Sequence, residues 1–264
     1  ADQALNPAST TKVITAATAL NTLGPSYTFE TRVLARVEPD AKGVIKGDLV
    51  VKGGADPTMV VEKLWKLARD LELAGITKVE GDLILDESMF GDDHDLPGWD
   101  KDADLERGPA YFPAVSALAL NFNTAALVIR PGPTVGSPAV VLLETEAGDY
   151  LKLTSSMTTS AAGYRPRISI DRDVTDDATS FTVTGAVPLN DRVRKYYRTV
   201  GDPTRYFGEA FRSLLADRGI TVTGRSHTGV MKDDDIELAS VGSPPLTTVL
   251  MDMNKYSSNF MAEH

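Results

Sequence analysis

Two short patterns carry residue types that could perform acyl transfer. Near the N-terminus stands Pro7-Ala8-Ser9-Thr10-Thr11-Lys12, and near the other end Asn254-Lys255-Tyr256-Ser257-Ser258-Asn259. Ser9 and Lys12 are three residues apart, so on a helix they share one face with Cβ atoms about 5–6 Å apart. An amine beside a hydroxyl can take its proton, and a helix N-terminus favours the negative charge that then develops. Each residue also has a plain reading. Ser9 ahead of an apolar helix is a cap, Lys12 one turn in is a solvated side chain, and Ser257-x-Asn259 is a turn.

Other chemistries have less support. No Gly-x-Ser-x-Gly elbow and no glycine-rich phosphate loop occur, and His94, His227 and His264 stand in poor contexts for a serine–histidine pair. Cysteine is absent and no histidine spacing suits zinc, so neither a metal nor a cofactor is expected. Asp92, Asp93, His94 and Asp95 read as an acidic surface loop. The net charge of −10 and pI near 4.8 argue against a nucleic acid or an anionic membrane surface as partner. The basic cluster Arg192, Arg194, Lys195 and Arg198 reads as a solvated face. No apolar run reaches the ~18–20 residues of a membrane span. No signal peptide is present and the chain begins at Ala1 without a methionine, so a mature or trimmed fragment is expected.

Behind these patterns stand the elements that must position them. Val13, Ile14, Ala16, Ala17, Ala19, Leu20 and Leu23 predict a helix stopped by Gly24-Pro25. Tyr27, Phe29, Thr31, Val33 and Ala35 then alternate as a half-buried strand does, and further strands are expected at 47–51 and 79–85. The Gly-Asp-Leu echo at 47 and 81 marks two similar strand entries, with no repeat claimed. Asp56-Pro57 predicts the start of a helix burying Leu64, Trp65, Leu67, Ala68 and Leu71. Residues 91–110 form a turn-rich acidic excursion, and short strands broken by Gly and Pro follow from about 125 to 186. Helices return at Asp202-Pro203, with Tyr206, Phe207, Ala210, Phe211, Leu214 and Leu215 as a stripe, and at Ser243-Pro244-Pro245. Phe260–His264 reads as the first turn of a helix that continues beyond the chain.

With 264 residues, 42% of them hydrophobic, there is length for two domains or for one with large insertions. The Ser-x-x-Lys and Ser-x-Asn patterns together, the latter 248 residues after the former, resemble two of the three motifs of the penicillin-recognising serine enzymes. Leu23-Gly24-Pro25, Phe29-Glu30-Thr31, Gly53-Gly54-Ala55-Asp56-Pro57, Gly75-Ile76, Gly81-Asp82-Leu83, Asp202-Pro203 and 219–224 add landmarks in order. Across nearly the whole chain the sequence resembles the class C low-molecular-mass penicillin-binding proteins, truncated after the second motif. The third motif, Lys-Thr-Gly or a close variant, does not occur in these residues.

The resemblance implies an α+β fold: a partial β-lactamase/transpeptidase-like domain from 1–30 and 200–264, interrupted by a large insertion of β-rich domains. The insertion would divide into an α+β domain at 31–119 and 188–199 and a nested β domain at 120–187. It implies a serine D-Ala-D-Ala carboxypeptidase or endopeptidase acting on peptidoglycan stem peptides outside the cytoplasm and acylated by β-lactams. Ser9 would be the nucleophile, Lys12 the base in its neutral form, Ser257 the proton relay and Asn259 the group holding Lys12 and the substrate amide. Trp99 and Asp102 match a Trp-x-x-Asp element that would meet the amino group of a diamino acid, although a surface Trp among scattered acids fits that stretch as well. A serine β-lactamase and a non-catalytic β-lactam- or cell-wall-binding module are the alternatives.

Overall fold

Apolar spacing and turn residues build the elements in chain order. The computed structural model describes residues 7–90, 94 and 113–264. A 3-10 turn at Ala8–Thr11 runs into α1 (Lys12–Leu23), which ends at Gly24, φ 86°, a backbone angle that a side chain would resist. Among the described residues the strands then form four sheets.

Three copies of one two-strand unit organise the centre. They are β2 (Val44–Ile45) with β3 (Leu49–Lys52), β4 (Lys78–Val79) with β5 (Leu83–Asp86), and β13 (Thr221–Val222) with β14 (Ser226–Thr228). The first strand of each enters a parallel sheet of order β13-β4-β2. The second enters a five-stranded sheet of order β14-β5-β3-β1-β15, in which β1 (Glu30–Ala35) and β15 (Ile236–Gly242) run antiparallel at the far edge. The expected strand at 79–85 is therefore two strands in different sheets.

The Gly-Asp echo has a physical cause. Gly47, Gly81 and Gly224 stack at the three junctions, where a Cβ on Gly81 would lie 2.5 Å from the Gly47 carbonyl carbon and one on Gly224 would lie 2.4 Å from the Gly81 oxygen. Asp48 Oδ1 accepts the Asp82 N–H at 2.9 Å, and Asp82 Oδ1 accepts the Arg225 N–H at 2.7 Å. Each aspartate thus satisfies the backbone donor of the next copy.

Side chains alternate across the large sheet. Val33, Ala35, Leu49, Val51, Leu83 and Leu85 join the main apolar cluster, whereas Leu34, Val50 and Ile84 form a small cluster on the other face. The main face is covered by α2 (Val61–Leu73) and α3 (Pro203–Asp217). Leu64, Leu67, Ala68 and Leu71 make the buried stripe of α2. Trp65 is one residue off that stripe and stays 49% exposed, with the Arg218 guanidinium 4.2 Å above its ring. Asp56 does not cap α2. Its carboxylate accepts the Thr58 N–H at 2.8 Å in a preceding turn, and the helix starts after Val60. Asp202 does cap α3, accepting the Arg205 N–H at 2.9 Å with Pro203 in the first turn.

The β-rich middle comprises two sheets. One is β12-β6-β7, formed by β6 (Thr124–Arg130), β7 (Val140–Leu143) and β12 (Arg194–Thr199). The other is β10-β11-β8 with β9 also on β11, formed by β8 (Leu151–Ser155), β9 (Thr158–Ser160), β10 (Arg167–Val174) and β11 (Thr179–Pro188). β12 pairs with β6, which places residues 194–199 in a sheet of the β-rich middle.

The remaining helices, α4 (Leu246–Tyr256) and α5 (Asn259–Glu263), pack with α1 around a separate cluster of Ala16, Phe29, Leu246, Val249, Leu250 and Met253. By packing, α3 and β13–β15 share the main apolar cluster and its sheets, termed the inner body, and 7–29 with 243–264 form an outer layer around the separate cluster.

Candidate active site

The 3-10 turn presents Ser9 without using it as a cap. Thr10 Oγ1 donates to the Pro7 carbonyl at 2.5 Å and Thr11 Oγ1 to the Ala8 carbonyl at 2.9 Å. The N-terminal positions of the turn and of α1 carry no side-chain cap bond, so the cap reading of Ser9 does not hold. Ala8 takes a positive φ of 46° immediately before Ser9. Such a residue costs roughly 1–2 kcal/mol outside glycine, and residues of this kind cluster where geometry serves function.

Lys12 is 8% exposed, an unusual burial for a lysine that excludes the solvated reading. Its Nζ donates to Asn259 Oδ1 at 2.6 Å and to Ser9 Oγ at 3.4 Å. Ser257 Oγ donates to Ser9 Oγ at 2.7 Å. Four residues from the two ends of the chain therefore form one connected polar group with Ser9 at its exposed rim.

The junction between α4 and α5 makes this meeting possible. Ser257 closes α4 in the left-handed region, φ 53° and ψ 38°, while Ser258 N–H returns to the Met253 carbonyl at 3.0 Å. Ser258 then caps α5, its hydroxyl accepting the Met261 N–H at 3.2 Å. One residue turns the chain and the next starts a new helix, so Ser257 reaches Ser9 while Asn259 reaches Lys12.

Residues that sequence reading missed hold α5 on the inner body. His264 places Nδ1 2.8 Å from the Phe260 carbonyl and Nε2 3.2 Å from the Ser116 carbonyl. Its ring lies 4.1 Å from that of Phe260, and Phe122 meets Phe260 edge-on at 5.6 Å. Burial pushes the His264 imidazole below its ordinary pKa. Ser116 Oγ donates to buried Glu87 at 2.8 Å, Thr204 donates to the same carboxylate, and His94 Nε2 stands 2.8 Å from it. Burial raises the Glu87 pKa, but the bonds from His94, Thr204 and Ser116 outweigh it and hold the carboxyl below its usual range. His94 thus joins the hydrogen-bond network of the buried Glu87 carboxylate. These pairings span up to 148 residues, and no local pattern marks them. Asp92, Asp93, Asp95, Trp99 and Asp102 lie outside the described residues.

Along α1, an open groove of about 570 Å³ is lined by Ile14, Thr18, Leu250 and Met261. Val13 and Ile14 are 64% and 68% exposed, so the outward face of the helix carrying Lys12 is apolar and open. Among the described residues no helix is long and apolar enough to cross a membrane.

The chain is similar to known proteins along nearly its whole length. A D-alanyl-D-alanine carboxypeptidase of Actinomadura sp. (strain R39) is 33% identical over 98% of this chain and 48% of its own length. D-alanyl-D-alanine carboxypeptidase DacB of Haemophilus influenzae is 27% identical over 97% of this chain and 52% of its own. The crystal structure of penicillin binding protein 4 from Haemophilus influenzae superposes with a TM-score of 0.76 at 25% identity, covering 97% of this chain and 55% of that one. The chain spans about half the length of the curated relatives it matches. Residues 1–264 match the D-Ala-D-Ala carboxypeptidase 3 (S13) family throughout, and the chain belongs to that family.

Proposed function

We propose that this chain carries the acyl-serine end of a DD-peptidase that cleaves D-Ala-D-Ala termini, or D-amino-acid crosslinks, of peptidoglycan stem peptides outside the cytoplasm. The observation that carries the reading is the set of contacts at Ser9, whose Oγ lies 2.7 Å from Ser257 Oγ and 3.4 Å from Lys12 Nζ. Family membership and the carboxypeptidase names of the relatives support it.

In this mechanism neutral Lys12 takes the Ser9 hydroxyl proton as Oγ attacks the scissile carbonyl. The Ser9 N–H lies in the first turn, where a helix leaves its donors unpaired, and it stabilises the developing oxyanion. Ser257, hydrogen-bonded to Ser9 Oγ, passes its proton to the departing D-Ala amine as the C–N bond breaks and takes back the proton held by Lys12. Water then hydrolyses the acyl-serine by the reverse relay. Asn259 Oδ1 fixes the Lys12 amine, and its amide has a second role in holding the substrate backbone. A β-lactam acylates the same serine. Trp99 and Asp102 would receive the amino group of a diamino acid in the stem peptide.

The test is release of D-Ala from a D-Ala-D-Ala peptide by the intact protein. Native protein releases it and Ser9→Ala does not. Release by Ser9→Ala at the native rate would refute the mechanism, and rapid nitrocefin turnover without peptide hydrolysis would make the protein a β-lactamase instead.

A further inference from the structure

A second cavity, of about 550 Å³, opens on the inner body between the start of α2, the 121–123 turn and the outer face of β6 and β12. Its size lies within the ~300–1,000 Å³ usual for ligand sites. Two aromatic rings on its wall remain unburied: Tyr197 is 50% exposed and Phe122 is 40% exposed. Tyr197 sits opposite Ala126 in the strand register, so a small residue lies beside the ring and leaves room over the sheet. Glu62, Glu144, Lys195 and Asn121 supply the polar rim, with Lys195 paired to Glu144.

The Phe122 wall is held in place at a conformational penalty. Asn121, Phe122 and Asn123 are three consecutive left-handed residues, with φ of 49°, 56° and 51°. The turn is pinned from several directions. Asn121 Oδ1 accepts the Val61 N–H at 3.1 Å, Asn121 Nδ2 donates to Thr145 Oγ1 at 3.1 Å, and Asn123 Nδ2 donates to the Ala114 carbonyl at 2.8 Å. Backbone of this kind persists where the surroundings over-determine it, and ligand clamps are one such setting. The same Phe122 ring meets Phe260, which follows Asn259, so the cavity wall and the proposed active site share a contact.

We propose that this cavity is a saccharide subsite that takes the N-acetylated amino-sugar strand to which a stem peptide is attached. Sugar rings offer apolar C–H faces for Tyr197 and Phe122, and hydroxyl and acetamido edges for exposed Glu62 and the Glu144–Lys195 pair at the rim. A peptide adding to the free edge of β12 would lie beside the sheet, whereas the cavity lies over its face, where Tyr197 pairs with Ala126. The role in catalysis rests on the peptidase reading above, whereas sugar binding itself does not.

The test is saturation-transfer NMR of this chain with an N-acetylglucosamine tetramer. Saturable binding is expected, unchanged in Ser9→Ala and in Trp65→Ala, and weakened at least tenfold in Tyr197→Ala. Glu62→Trp, which fills the rim while keeping Tyr197, should weaken it similarly and guards against a folding defect in the first variant. Absence of saturable binding, native affinity in both cavity variants, or displacement by a sugar-free D-Ala-D-Ala peptide overturns the proposal. Lost sugar binding beside Ser9-dependent D-Ala release refutes the subsite alone. Retained sugar binding without any Ser9 chemistry refutes the peptidase reading alone.

Discussion

The inner body and the outer layer are built on different terms. Residues 30–242 bury Tyr206, Phe207 and Phe211 completely within one apolar cluster shared by the sheets and two helices. The outer layer, which carries all four proposed catalytic residues, has a cluster of only Ala16, Phe29, Leu246, Val249, Leu250 and Met253, beside an open groove. Stability therefore resides in the inner body, and the outer layer is held in register by polar bonds to it and across it. A site assembled from Ser9 and Ser257 relies on that register, since its contacts join segments 248 residues apart.

The sharpest way to break this comparison is to excavate the inner body. Phe211→Ala should lower unfolding free energy by about 3–5 kcal/mol, read from urea denaturation. A loss under 1 kcal/mol would mean that the inner core does not dominate. Removing the buried amine tests the outer layer next. Lys12→Ala should slow acylation of the intact protein by about 10²–10⁴-fold, measured with a fluorescent penicillin, while changing the inner body little.

A smaller effect is expected from acid. Burial lowers the folded-state pKa of His264, so its contribution to stability is complete above the unfolded pKa of about 6.5 and is lost as pH falls through the folded value. The melting temperature of the native chain should drop below that pH more steeply than that of His264→Phe. Parallel pH profiles would remove His264 as the link between the layers. The smallest effect belongs to the open face: Ile14→Ala, at a position 68% exposed, should change stability by less than about 0.5 kcal/mol.

The sequence carried the local half of this architecture. The stripe Tyr206, Phe207, Ala210 and Phe211 on α3, the Asp202-Pro203 start and the Ser-x-x-Lys spacing all follow from helical periodicity and capping, and they appear as expected. The Gly47 and Gly81 echo was visible, but its meaning was not. It takes the stacking of Gly224 on Gly81, and of Asp82 against Arg225, to show three copies of one unit, and the third copy lacks the aspartate that would have marked it. Periodicity ranks a large apolar residue such as Trp65 as buried, whereas Arg218, far downstream in the sequence, covers its ring. At the site, residue types and spacing marked Ser9, Lys12, Ser257 and Asn259, but not the tether of α5 through His264, Ser116 and Glu87. That tether consists of side-chain contacts between distant segments, which a single sequence does not encode in any short pattern.

The central claim is that Ser9 is the acylated residue. Peptide mapping by mass spectrometry of the intact protein, treated with a penicillin, tests it most directly. The account predicts one stoichiometric adduct on the peptide containing Ser9, absent in Ser9→Ala. A stoichiometric adduct on Ser257 or any other residue, with Ser9 unmodified, would contradict it.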